Sequence, residues 1–206
     1  MHEDNSTENS SLTLNLHVRQ FVNNYIQENW EMLNAVRQRS ARPFKLIDSV
    51  FGHYGLPKEM KYLAVIESEL KSTAVSRVGA KGPWQFMPAT AQLLGLKIDS
   101  MHDERTHYYK STVAAAIYLR DLYSEFGDWL LVLAAYNGGP APVYRAIHKA
   151  GSRNFWALEK YLPAESRGHV KKFIASHYYF EGISSVAMLT KSACETCTMT
   201  VGFATL

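Results

Sequence analysis

Asp128-Trp129-Leu130-Leu131-Val132-Leu133-Ala134-Ala135-Tyr136-Asn137-Gly138-Gly139-Pro140 is the stretch that decides the fold class. Asp128 is a residue type that caps a helix start, and Gly138-Gly139-Pro140 breaks the helix at its other end. Between them the chain is apolar on every side of a helix, so this helix must be surrounded by others. The run from Trp129 to Tyr136 is far too short to cross a bilayer.

The flanking sequence supplies the partners. Val18, Phe21, Val22, Tyr25, Ile26, Trp30 and Leu33 recur at helical steps from Leu16 onward. A second helix is expected over Ala41 to His53, ended by Gly55, with Pro57 opening a third that expires near Leu70. Lys71 to Gly82 is polar and glycine-punctuated, hence a loop, after which Pro88 starts a short helix stopped at Gly95. Thr106 is the expected cap of a long helix through Phe126, and further helices are expected near Val143–Lys149, Phe155–Tyr161 and Glu165–Phe180. No strand alternation exceeds four residues, so the expected class is all-α. Residues 1–14 read as a flexible lead-in, 15–182 as one domain and 183–206 as a tail of unassigned role.

Composition narrows the function. The chain has 206 residues, 47% hydrophobic and 20% charged, which suits one compact domain and not a disordered segment. Its 22 basic and 19 acidic residues are spread along the chain, without the basic block that nucleic-acid binding leaves. The start, Met1-His2-Glu3-Asp4-Asn5, lacks the charged and apolar regions of a signal peptide, as expected of a cytoplasmic protein or a processed mature form. Cys194 and Cys197 cannot frame a domain; an incidental pair or a small disulfide is expected, dispensable for activity. His102, Asp103, Glu104 and His107 form the densest polar cluster and read as a solvated loop, so no metal site is assigned.

Three stretches carry chemistry. In Ala64-Val65-Ile66-Glu67-Ser68-Glu69-Leu70, a glutamate stands near the C-terminal end of an apolar helix, where the dipole and apolar neighbours both disfavour a carboxylate. That suits a general acid, although a solvated helix-end glutamate would look the same. Glu69, two residues on, would face away from Glu67 on a helix, and Glu67 is the better inward candidate. Ser76 and Gln85 offer neutral hydrogen-bonding groups, and Trp84, Phe86 and Met87 offer flat or soft apolar surface, a lining suited to sugar but also to core or turn filling. Tyr136 and Asn137 end the buried helix and can project polar tips into a cleft, or simply close its C-terminus.

Taken together, Glu67-Ser68, Ser76-x-x-Gly79-Ala80-x-Gly82-x-x-Gln85-x-Met87-Pro88, Ala134-Ala135-Tyr136-Asn137-x-Gly139 and Glu165-Ser166-Arg167-x-x-Val170 resemble the lysozyme-like lytic transglycosylases of bacteria. The resemblance is to the membrane-bound type D branch of the soluble-transglycosylase-like superfamily and covers residues 15 to 180. It implies an all-α lysozyme-like domain with a glycan groove, acting on peptidoglycan in the bacterial periplasm or envelope without a cofactor. It places the single acid/base on Glu67, and substrate-binding roles on Ser76, Gln85, Met87, Tyr136, Asn137 and Glu165. The implied reaction cleaves the β-1,4 bond between N-acetylmuramic acid and N-acetylglucosamine and closes a 1,6-anhydro ring. Two positions depart from the pattern: Pro83 replaces an aliphatic residue, and His169 replaces a tyrosine four residues past Glu165. A goose-type lysozyme-like hydrolase and a non-catalytic peptidoglycan-binding domain are the alternatives.

Overall fold

The computed structural model describes residues 16–182; the lead-in, the tail and both cysteines lie outside the described residues. The helices are α1 (Leu16–Glu28), α2 (Trp30–Arg39), α3 (Ala41–His53), α4 (Tyr62–Ser68), α5 (Pro88–Leu93), α6 (Tyr108–Phe126), α7 (Trp129–Gly138), α8 (Pro140–Ala150), α9 (Phe155–Leu158) and α10 (Ala164–Glu181). Among the described residues there are isolated β-bridges but no strands, so the fold is all-α.

Helix α7 is the centre. Every residue from Trp129 to Ala135 is buried, as an all-round apolar helix requires. Asp128 starts it, its Oδ1 accepting from the amides of Leu130 at 2.8 Å and Leu131 at 3.1 Å. α6, α8 and α10 pack on α7, while α10 also covers α1 and α4. Each large aliphatic side chain enclosed this way contributes about 1.5–3 kcal/mol.

Several boundaries differ from the sequence reading. The first helical pattern is interrupted at Asn29, whose side-chain amide donates to the Tyr25 carbonyl at 2.8 Å and so competes with the helix ladder. The third helix begins with a 3₁₀ turn over Lys58–Lys61 and ends at Ser68, because Glu69 and Leu70 both adopt positive φ. Thr106 is not the cap of α6. It closes a 3₁₀ turn, and the imidazole of His107 accepts from the Lys110 amide instead. The expected helix over Phe155–Tyr161 is α9 followed by a 3₁₀ turn.

The segment between α4 and α5 is folded against one buried cation. The Arg105 guanidinium donates to the carbonyls of Gly79 at 2.8 Å and Phe86 at 3.0 Å, and pairs with Asp103 at 2.8 Å. Those Arg105 hydrogen bonds, with Lys81 alongside, hold the Asp103 carboxyl down to about 2. Trp84 is fully buried; its indole N–H donates to Thr112 Oγ1 at 3.0 Å. Gly82 has φ +85°, and a Cβ there would lie 1.9 Å from the Arg105 carbonyl oxygen. Gly82 lets the loop touch the 3₁₀ turn, backbone to backbone.

At the far end of α10, His177 is fully buried, stacks on Tyr62 at 5.2 Å and has no partner for either ring nitrogen among the described residues. Burial pushes its imidazole down to about 4 from 6.5, with Glu181 opposing and Lys61 assisting. The unfolded chain therefore takes up this proton first as pH falls. The contribution is whole above pH 6.5 and is lost on the way down to about pH 4. The loss is at most about 3 kcal/mol.

His177→Phe, which keeps the stack, should flatten the fall in melting temperature between pH 6.5 and about 4. An unchanged slope would mean that other groups carry the acid sensitivity. Gly82→Ala should destabilise by at least about 2 kcal/mol, from positive φ plus the clash. Gly52→Ala, inside α3 with nothing within 4 Å of the added Cβ, should be neutral or stabilising by up to about 1 kcal/mol. Urea midpoints for the two variants read the contrast directly; equal midpoints would refute it.

Candidate active site

Glu67 sits in the last turn of α4, its side chain 17% exposed. Three neighbouring elements fix its surroundings. From α4 itself, Ser68 Oγ donates to the Ala64 carbonyl at 3.1 Å and the Pro83 carbonyl at 2.8 Å, which ties the helix end to the loop. From α7, the Tyr136 hydroxyl donates to the Trp84 carbonyl at 2.7 Å. From α10, His169 Nε2 lies 2.8 Å from Glu67 Oε1.

Burial, and after it the negative charge of Glu67, raises the Tyr136 phenol well above its ordinary value. Tyr136 is therefore a fixed neutral donor near the carboxyl. Its ring packs between Phe86 at 6.0 Å and Tyr118 at 5.5 Å, so the hydroxyl has little freedom to swing. Asn137 Oδ1 accepts from Ser166 Oγ at 3.1 Å, joining α7 to α10. Gly138 makes that approach possible, since a Cβ there would stand 2.6 Å from Ser166 Oγ.

Glu69 is turned elsewhere. At φ +55° its carboxylate reaches Arg39 at 3.2 Å and Lys71 at 2.7 Å. The half-turn separation expected on a helix is thus replaced by a left-handed residue that sends Glu69 outward.

The loop residues divide. Ser76 Oγ accepts from the Ala80 amide at 2.9 Å. Gln85, itself at φ +48°, donates its side-chain amide to the carbonyls of Ala74 at 3.2 Å and Gly82 at 2.8 Å. Both groups shape the loop. Met87 is exposed, whereas Trp84 and Phe86 are core residues and offer no surface to a ligand, the core-filling alternative of the two the sequence left open. Their apolar contacts with α3, α6 and α7 outweigh any exposed role. Glu165 is exposed in the first turn of α10. The His102–His107 stretch is taken up by structure: Asp103 pairs with Arg105 and Lys81, Glu104 with Lys110, and His107 caps α6.

Two contributors escaped the sequence reading. Arg105 stands among polar residues and looks solvated; no periodicity marks it as the buried clamp of the loop. His169 stood out in the sequence only as a departure from the family pattern four residues past Glu165, not as the partner of a glutamate 102 residues away.

Comparison with known proteins identifies the family and the fold. Residues 52–159, more than half of the chain, match the family described as "Transglycosylase SLT domain". The chain is 38% identical over 125 residues to "Membrane-bound lytic murein transglycosylase D" of Escherichia coli K12, a match covering 58% of this chain and 27% of that protein. It is 39% identical over 117 residues to "Peptidoglycan transglycosylase gp16" of Escherichia phage T7, covering 56% of this chain and 9% of that one. The chain thus spans about a quarter or less of the length of these two curated relatives. In fold it is similar to the 70-kDa soluble lytic transglycosylase of E. coli, with a TM-score of 0.59, 24% identity, and coverage of 80% of this chain and 30% of that one. The complex of the 70-kDa soluble lytic transglycosylase with bulgecin A aligns with a TM-score of 0.60 at 23% identity, covering 86% of this chain and 32% of that one. The site is built on a lysozyme-like all-α scaffold, and the chain belongs to the transglycosylase SLT domain family.

Proposed function

We propose that the protein is a peptidoglycan lytic transglycosylase that cleaves the β-1,4 bond between N-acetylmuramic acid and N-acetylglucosamine, with Glu67 as its single acid/base. The observation that carries this reading is the Glu67 carboxyl, mostly enclosed at a helix end and held between α4, α7 and α10, while Glu69 is drawn off by Arg39 and Lys71. Family membership supports the chemistry, and the names of the relatives supply murein and peptidoglycan as substrate.

In this mechanism the Glu67 carboxyl protonates the leaving glycosidic oxygen as the C1–O bond breaks. The substrate's own acetamido group stabilises the cationic C1. Glu67, now a carboxylate, accepts the proton of the C6 hydroxyl as that oxygen bonds to C1. The ring closes as 1,6-anhydro product, no water is consumed, and Glu67 ends protonated as it began. Tyr136 and Asn137 orient the sugar and acetamido group, with Met87 and Glu165 contributing to the groove and Ser76 and Gln85 shaping the loop that borders it. The polymer's location puts the protein in the bacterial periplasm or envelope. Among the described residues no helix is long and apolar enough to cross a membrane.

A goose-type hydrolase is the second reading, and exposed Glu165 is the carboxylate that could serve a water. Mass spectrometry of digested peptidoglycan separates the two, since anhydro ends support the lyase and reducing ends the hydrolase.

Glu67→Gln keeps the shape but cannot give or take the proton, so release of anhydro-muropeptides should fall by at least about 10²-fold while the fold and glycan binding persist. Glu69→Gln removes only two partly exposed ion pairs, each worth under about 1 kcal/mol, and should leave turnover near that of the unaltered protein. Near-normal release from Glu67→Gln would remove Glu67 from the mechanism.

A further inference from the structure

His169 lies on α10, and its imidazole is turned to the Glu67 carboxyl. Nε2 is committed to Glu67 Oε1 at 2.8 Å, with the two side chains 10% and 17% exposed. Nδ1 is buried and has no hydrogen-bond partner among the described residues. A buried N–H without an acceptor is the rarer and costlier orphan; a bare ring nitrogen is the cheaper one. The network therefore assigns the ring proton to Nε2, where it is donated to the carboxyl, and leaves Nδ1 unprotonated. The other oxygen, Oε2, makes no hydrogen bond among the described residues, yet it is not among the buried atoms lacking a partner, so it has access to solvent.

We propose that His169 is a positioning residue for the acid: its Nε2–H holds Oε1 and presents Oε2 as the oxygen that gives and takes the proton. The inference rests on the lytic transglycosylase reading and deepens it. Glu67 lies one residue before Ser68, the last residue of α4, and the described residues offer its carboxyl no other hydrogen bond. Without His169 the carboxyl can rotate about its terminal torsion, a broad and soft coordinate. With it, one oxygen stays occupied through both half-steps. The bond also strengthens when the leaving oxygen takes the proton and the carboxylate forms, because a charged acceptor makes the stronger hydrogen bond. That is assistance given as charge develops on Glu67. α10 packing on α4 fixes the distance, and Tyr136 on α7 is a second titratable side chain that feels the Glu67 charge.

The test has a spectroscopic and a kinetic arm on the full chain. Nitrogen-15 spectra of the substrate-free protein near neutral pH should show His169 protonated at Nε2 and bare at Nδ1, and Glu67→Gln should shift that signal. A proton on Nδ1, or a doubly protonated ring, overturns the proposal. In the kinetic arm, His169→Phe removes the donor and should lower kcat about 10- to 100-fold with KM little changed, the range expected for a lost hydrogen bond to a charged group. His169→Gln, which restores a neutral N–H donor, should recover most of the loss. Equal kcat in the Phe and Gln variants overturns the proposal, and so does a loss confined to KM. Circular dichroism checks that each variant folds, and the nitrogen-15 result on the unaltered protein stands even if one does not. Absence of anhydro ends from the unaltered protein would instead sink the lyase reading, leaving the tautomer measurement unaffected.

Discussion

A helix that is apolar on all sides cannot rest on a surface; it has to be enclosed, and α7 sets this constraint for the whole molecule. Three helices pack directly against it, and α10, while doing so, reaches α1 and α4 as well. The enclosure is what brings the C-terminal end of α4 beside the C-terminal end of α7. Those ends carry Glu67 and Tyr136-Asn137, so the polar site is built where buried helices run out of apolar residues. A carboxyl there meets partners chosen by packing and has little bulk water around it.

The second device is electrostatic. Arg105 is nearly sealed from solvent, and its charge is balanced by Asp103 and absorbed by two loop carbonyls. Removing one partner from a buried pair of this kind costs several kcal/mol, because the other charge is left uncompensated. The loop from Ala74 to Met87 thus has a rigid backbone although it contains no regular structure. Gln85 at positive φ and the glycine at 82 are consequences of that tight winding. Ser68 and Tyr136 then bond to the carbonyls of Pro83 and Trp84, joining the loop to the two helix ends that bear the site. Pro83, which removes a backbone donor from the loop, costs nothing in these contacts, since only its carbonyl is used.

The pair formed by Glu67 and His169 shows how a histidine is accommodated in such a site. An imidazole is shorter than a phenol, and here it is given over wholly to the acid. Its outer nitrogen is buried and has no partner among the described residues, a cost that a core tolerates only where the remaining hydrogen bond is well placed. Nothing about His169 in isolation separates this arrangement from a histidine lying on a helix surface. The distinguishing fact is the position of α4, which is set by contacts elsewhere.

The sequence by itself determined the helical class, the burial of α7 and the order of the motif blocks, and it favoured Glu67 over Glu69 as the inward residue. Each of these is written in local periodicity, capping chemistry or residue type, and local information survives in a linear string. It did not reveal the break at Asn29, the capping by His107, or the disappearance of Trp84 and Phe86 into the core. Those outcomes come from competition: a side-chain amide against the helix ladder, one cap against its neighbour, apolar contact with distant helices against exposure. Only the tertiary structure decided that Arg105 clamps the loop and that His169 touches Glu67. Both depend on distances between segments far apart in the chain, and such distances are fixed when helices pack around α7, not by any property of the residues taken in order.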